Sequence, residues 1–154
     1  MADLGRMARR GFLTATLAAV FSTAAHAQTG PETNEAAMTR IKVIVGDTTL
    51  PATLDDTPAA RDFASMLPLE LVVSDYHGTE KVADLGRKLD ATDAPEGYAP
   101  QAGDITQYRP WGNLAIFYKP FNYSRGLVRL GAFDGSIAAL VEAGETRIRI
   151  EAAD

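Results

Sequence analysis

Aromatic side chains crowd the stretch from 76 to 123, among them Tyr76, Tyr108, Trp111, Phe117, Tyr118, Phe121 and Tyr123, with Asn113 and Arg125 close by. Aromatic walls with a few polar anchors are how apolar grooves hold peptides or small ligands. Tyr108, Trp111, Asn113, Tyr123 and Arg125 are the candidate ligand-binding residues, because they lie at connections between strands, where function concentrates. Trp111 would supply stacking area. Asn113 would offer an amide that both donates and accepts, and Arg125 a fixed cation for a carboxylate or a peptide carbonyl. Phe117 and Tyr118 read instead as strand residues filling the core and an outer face.

Other chemistries find less support. The chain has no cysteine, which removes disulfides, thiolate metal sites and a cysteine nucleophile together. Of its two histidines, His26 lies near the N-terminus, so His77 stands alone in the body of the chain. A zinc site built on His and Cys is therefore not expected, and Asp55-Asp56 and Asp90/Asp93 lack the spacing of a calcium loop, so no metal is assigned. No phosphate-binding glycine loop or dinucleotide fingerprint occurs, and no cofactor is implied. Ser124 with His77 and an aspartate could be imagined as a triad. The nucleophile-elbow pattern is missing, however, and His77 reads as a turn residue in Ser74-Asp75-Tyr76-His77-Gly78. No catalytic residue is assigned. The pairs Glu80-Lys81 and Arg61-Asp62 read as solvated surface charges. With a formal charge of −5, the chain offers no dense basic surface, and nucleic acid is not an expected partner.

The elements that must position the aromatic group follow from periodicity. Ile41, Val43 and Val45 alternate, Gly46-Asp47-Thr48 turns, and Leu50, Ala52 and Leu54 alternate on the return, which predicts a hairpin. Pro51 within it calls for an edge or a non-bonded position. Thr57-Pro58 is a hydroxyl N-cap followed by proline at the first helical position, opening a helix from Pro58 to Leu67 with Phe63, Met66 and Leu67 on its buried face. Pro68 stops it. Leu69, Leu71 and Val73 alternate in a further strand, Glu80 to Leu85 in a shorter one. Residues 86–103 form the longest loop. Strands follow at Ile105 to Tyr108, Leu114 to Tyr118, Leu127 to Phe133 and Thr146 to Glu151, with a helical turn or two at Ile137 to Val141. The fold class is mainly β: a small closed barrel of about eight strands, one main helix capping an opening. Closure would remove exposed strand edges.

Particular segments carry a resemblance. Gly103-Asp104-Ile105-Thr106-Gln107-Tyr108-Arg109-Pro110-Trp111-Gly112-Asn113-Leu114-Ala115-Ile116-Phe117-Tyr118 resembles the signature of the bacterial cyclophilin-like domain family. The segments 57–63, Leu67-Pro68-Leu69, 78–81 and 123–131 agree with it, so the resemblance runs from about Thr39 to Leu140. It implies a cyclophilin-like β-barrel and no established activity. A binding module that holds a small molecule or an extended peptide at the barrel mouth is the leading expectation. Peptidyl-prolyl isomerisation, which the cyclophilin enzymes perform through an arginine beside an apolar pocket, is the alternative. Their motifs do not align here: no arginine follows Tyr76-His77-Gly78, and Gln101-Ala102 precedes Gly103-Asp104. A third expectation is an accessory domain docking on another folded protein, which an exposed Trp111/Tyr123 patch without a concavity would favour.

The domain organisation read from the N-terminus is a signal peptide over 1–27, a flexible leader over 28–38 and the barrel over 39–154. Ala8-Arg9-Arg10-Gly11-Phe12-Leu13, a modest apolar run to Thr23 and Ala25-His26-Ala27 make a basic region, an apolar region and a small-x-small cleavage site. Paired arginines before Phe-Leu resemble a twin-arginine export signal, implying a periplasmic protein. A Sec signal is the alternative route, and a start at Met38 would give a cytoplasmic protein. The apolar run is too short for a permanent membrane anchor. Export by the twin-arginine route predicts a mature chain beginning at Gln28. Replacing Arg9 and Arg10 together by Lys should then leave precursor in the cytoplasm, seen by fractionation and N-terminal sequencing. Unaltered export would point to Sec.

Overall fold

The structure is a computed structural model that describes residues 38–154. The segment 1–27 expected to be a signal peptide, and all of the expected 28–38 leader except Met38, lie outside the described residues. Strands β1 (Arg40–Val45) and β2 (Thr48–Leu54) form the first hairpin, and helix α1 (Pro58–Ser65) follows. Then come β3 (Leu69–Tyr76), β4 (Glu80–Asp84), the two-residue β5 (Gly97–Tyr98), β6 (Asp104–Tyr108) and β7 (Asn113–Phe117). The short β8 (Ser124–Arg125), β9 (Leu127–Phe133), helix α2 (Ala138–Glu142) and β10 (Thr146–Ala152) complete the chain. Eight strands close a barrel in the order β1-β10-β3-β4-β7-β6-β9-β2, all neighbours antiparallel, while β5 and β8 pair as a separate ribbon. The mainly β, closed-barrel expectation is met.

Strand alternation divides the barrel into an inside and an outside. Ile41, Val43, Leu50, Ala52, Leu54, Val73, Ile105, Leu114, Ile116, Leu130, Ile148 and Ile150 are buried in one continuous core. Pro51 fits because of parity. Leu54 N–H donates to Thr39 O, so Pro51, an odd number of residues away, turns its nitrogen toward β9. The β2–β9 ladder begins one residue later at Ala52↔Phe133, and no ladder bond is lost.

Helix α1 forms where its cap demands. Thr57 Oγ1 accepts from Ala60 N–H at 3.2 Å, and Pro58 opens the first turn. It ends at Ser65, two residues earlier than expected, because the N–H groups of Met66 and Leu67 reach back three residues to Phe63 O and Ala64 O. Phe63 is fully buried in the barrel core together with Ala59 and Ala60, while Met66 and Leu67 are half-buried. A helix can join the interior cluster of a closed barrel only through an open end, so α1 plugs one opening. The strand ends place α2, with buried Leu140, at the opposite opening. One helix was expected to cap the barrel. Two do.

The long 86–103 segment is tied down rather than free. Gln107, fully buried, accepts from Leu89 N–H and donates from Nε2 to Arg87 O, both at 2.8 Å. From the surface side, Asp62 of α1 receives Arg87 at 2.5 and 2.9 Å and Asp90 N–H at 2.8 Å. Asp62 therefore pairs with Arg87, and Arg61 with Asp56, not with each other.

Two tests follow from this packing. Phe63→Ala should destabilise the domain by about 3–5 kcal/mol in urea denaturation, the usual result of truncating a buried Phe. A loss well under 1 kcal/mol would contradict the helix register. The Arg87 hydrogen bond, helped by Asp90 N–H against the opposing effect of burial, holds the Asp62 carboxyl down to about 2 from an ordinary 3.8. A depressed carboxylate stabilises the fold above its unfolded value and loses that contribution on acidification. The stability gap between wild type and Asp62→Asn should thus be constant above pH 4 and close between about pH 4 and 2. A gap insensitive to pH in that window would show that the pair carries no linkage.

Candidate functional site

The site is assembled on the outside of the barrel. Leu114 and Ile116 point inward, so Asn113, Ala115 and Phe117 of β7 point out. Ala115, Phe117 and Leu127 make a second, smaller apolar cluster there, flanked by Val82, Tyr98 and Tyr108. Over it folds the 119–126 segment, held by Phe121 N–H to Pro100 O at 3.0 Å and Gly126 N–H to Glu96 O at 2.7 Å. The β5–β8 ribbon is possible only because Gly97 has no side chain: a Cβ there would meet Ser124 O at 2.2 Å.

Between this segment and the β3–β4 turn lies a groove of about 780 Å³ floored by Ala115, Phe117 and Leu127. Its far wall is a pair of rings from distant parts of the chain. Tyr76 meets Trp111 edge-on with centroids 6.1 Å apart, and Trp111 meets Tyr108 edge-on at 5.3 Å. Phe121 stacks on Phe117 at 6.2 Å. The expectation put a ligand at the barrel mouth; this groove lies instead on the flank, over the outer face of β7, while α1 and α2 pack at the two openings.

Four of the five candidate residues line this groove: Tyr108, Trp111, Asn113 and Arg125. Tyr123 does not; it is 61 % exposed and stands outside the lining. Phe121 takes the place expected of it. Asn113 Oδ1 is buried without a hydrogen-bond partner among the described residues, and an unpaired buried acceptor costs about 1–3 kcal/mol. Arg125 is not a fixed cation in an apolar wall, for it is largely exposed and lies 3.3 Å from Glu96.

Glu80 is the lining residue the sequence reading passed over. Burial against the apolar floor pushes its carboxyl up from the ordinary value. Its neighbour Lys81 faces the other way, into the barrel, where Nζ donates to Gly144 O at 3.2 Å and lies 3.8 Å from Asp75. The two were read as a surface pair, yet adjacent strand residues point to opposite faces, and that alternation was the available signal. Asp75 is held low, first by the Tyr118 hydroxyl and then by Gly78 N–H, and the same contact pushes Tyr118 up to about 12. This fixes the turn that carries His77, which is exposed with φ 53° and packs edge-on against Tyr76 at 4.2 Å. Ser124 Oγ donates to Asn122 O, and no hydrogen bond joins it to His77 among the described residues.

Comparison with known proteins agrees with this architecture. No curated protein matches the chain. Its structure is similar to the solution structure of a hypothetical protein from Archaeoglobus fulgidus, with a TM-score of 0.57 and 14 % identity, over 75 % of this chain and 95 % of that one. At that identity the likeness speaks for the fold alone. The sequence pattern of the Cyclophilin-like family matches residues 43–151, nearly the whole barrel. The chain belongs to the Cyclophilin-like family.

Proposed function

We propose that this protein is an exported binding module that holds an extended peptide, or a small molecule of similar shape, in the groove on the barrel flank. The observation that carries the reading is the groove itself: about 780 Å³ in volume, with an aromatic wall and an apolar floor, combined with a buried Asn113 Oδ1 that has no partner among the described residues. A concavity beside exposed Trp111 favours a ligand over flat docking on a folded partner. Export follows the reading of the N-terminal segment.

Isomerase turnover would need a cation held at the scissile-like imide, with Arg125 as the groove's arginine. Its exposure and its pairing with Glu96 favour binding without turnover.

Calorimetric titration with capped tetrapeptides of varied sequence tests the proposal. Saturable binding is expected, weakened about tenfold, or about 1.4 kcal/mol, by either Trp111→Ala or Asn113→Ala. Affinities untouched by both substitutions, or no binding across the series, would remove the groove as the site. A chymotrypsin-coupled assay on an Ala-Pro peptide separates the rival. Rate enhancement lost in Arg125→Ala would replace the binding module with an isomerase.

A further inference from the structure

Some of the groove's polar side chains are engaged within the chain and others are not. Its charged donor, Arg125, faces Glu96 at 3.3 Å. The hydroxyl protons of Ser124 and Thr79 are given to the backbone oxygens of Asn122 and His77. Two acceptors on the groove stand unused. Asn113 Oδ1 is buried without a partner, and the half-buried Glu80 carboxylate has neither an ion pair nor a hydrogen bond among the described residues. The barrel register fixes the offset of the two residues. Glu80 of β4 pairs with Phe117 and Asp84 with Asn113, so the backbone positions of the two residues are offset by four residues along the strand direction, about 13 Å at the rise of a strand. Between them lie Ala115 and Val82, which offer no polar contact. The rings of Tyr76 and Trp111 wall the same interval, and their faces favour cations over anions.

We infer that the groove selects an extended, basic peptide segment of about four residues, laid along β7 with a lysine or arginine side chain at Glu80, an apolar middle on Ala115 and a backbone N–H at Asn113. This inference rests on the proposed binding function and adds to it the chemistry of the ligand. An extended chain spans 13 Å in about four residues, matching the backbone offset of Glu80 and Asn113 along the strands. A carboxylate set against an apolar floor is a poor host for a neutral or anionic group and a good one for a cation that can neutralise it. Burial also raises the Glu80 carboxyl, in keeping with an anion that lacks a partner within the chain. The net charge of −5 favours approach of basic ligands over long range.

The test compares capped tetrapeptides that differ in one side chain: acetyl-Phe-Ala-Ala-Lys-amide, the same peptide with norleucine or Glu in place of Lys, and the reversed acetyl-Lys-Ala-Ala-Phe-amide. Binding is followed by Trp111 fluorescence and by calorimetry. In the favoured direction, the lysine peptide should bind about tenfold or more tighter than the norleucine peptide, the size of a charge-assisted hydrogen bond, and the Glu peptide weakest. Glu80→Gln should bring the lysine peptide down to the affinity of the norleucine one. Equal affinity for lysine and norleucine peptides in both directions would overturn this inference while leaving the binding module standing. No binding by any of them would remove both. Cadaverine carries the ammonium without a backbone and should bind far more weakly. If it matches the lysine peptide, the ligand is a free amine and the peptide assignment falls.

Discussion

Closure of the barrel between β2 and β9 is the constraint on which the remaining architecture depends. The contact is made by the pairs Ala52↔Phe133, Thr53↔Ala132 and Leu54↔Gly131, and it works because β9 comes close enough to touch the β2 backbone. At Gly131 a Cβ would meet Thr53 O at 2.2 Å. Beside it β9 carries an irregularity in its register with β6, where Ile105 opposes Gly131 and Thr106 opposes Arg129. Such a bulge bends a strand and sharpens its twist, which lets one strand end the sheet and meet the first hairpin. Without this junction both edges would be open and the inside–outside division would lose its meaning.

With the barrel closed, each strand residue has one of two fates, and the polar residues show it most clearly. Gln107 and Lys81 are turned inward and buried, at a cost unless they are bonded. Gln107 spends its amide on the backbone of the long 86–103 segment, and Lys81 its ammonium on Gly144 O behind α2. These inward polar side chains fasten the connecting segments to the barrel. Outward-facing Asp104 does comparable work, accepting from Gln101 N–H at 2.9 Å and from Tyr98 and Arg129, while Arg129 also engages Asp55. The ribbon wall of the groove is thus supported through Tyr98 by the ion pairs on β9.

The groove is what remains when both barrel mouths are filled by α1 and α2. Ala115, Phe117 and Leu127 are apolar on a face that a free-standing barrel would give to water, and the 119–126 segment and the β5–β8 ribbon partly cover it. Under the proposed binding function, the paired strand residues of the floor would set the spacing of an extended ligand beneath the more exposed rings of Trp111 and Tyr76. Membership of the Cyclophilin-like family agrees with the barrel and leaves the chemistry of the flank to this chain's own side chains.

Local rules sufficed for much of the molecule. The alternation of Ile41, Val43 and Val45, the Thr57-Pro58 helix start and the inward set Ile148 and Ile150 are decided within a few residues by side-chain period and backbone geometry. Tyr108, Trp111, Asn113 and Arg125 were legible as candidates because they flank or end strands. Other features depend on pairs far apart in sequence. Phe121 rather than Tyr123 lines the groove because Pro100 fixes the returning segment, and Gly97 finds β8 only in the folded chain. Glu80 and Lys81 are identical in kind to any surface pair until β7 lies on one side of β4 and β3 on the other. Periodicity states that two neighbours face apart, but which face becomes core and which becomes groove is settled by closure, since only the closed barrel has an interior.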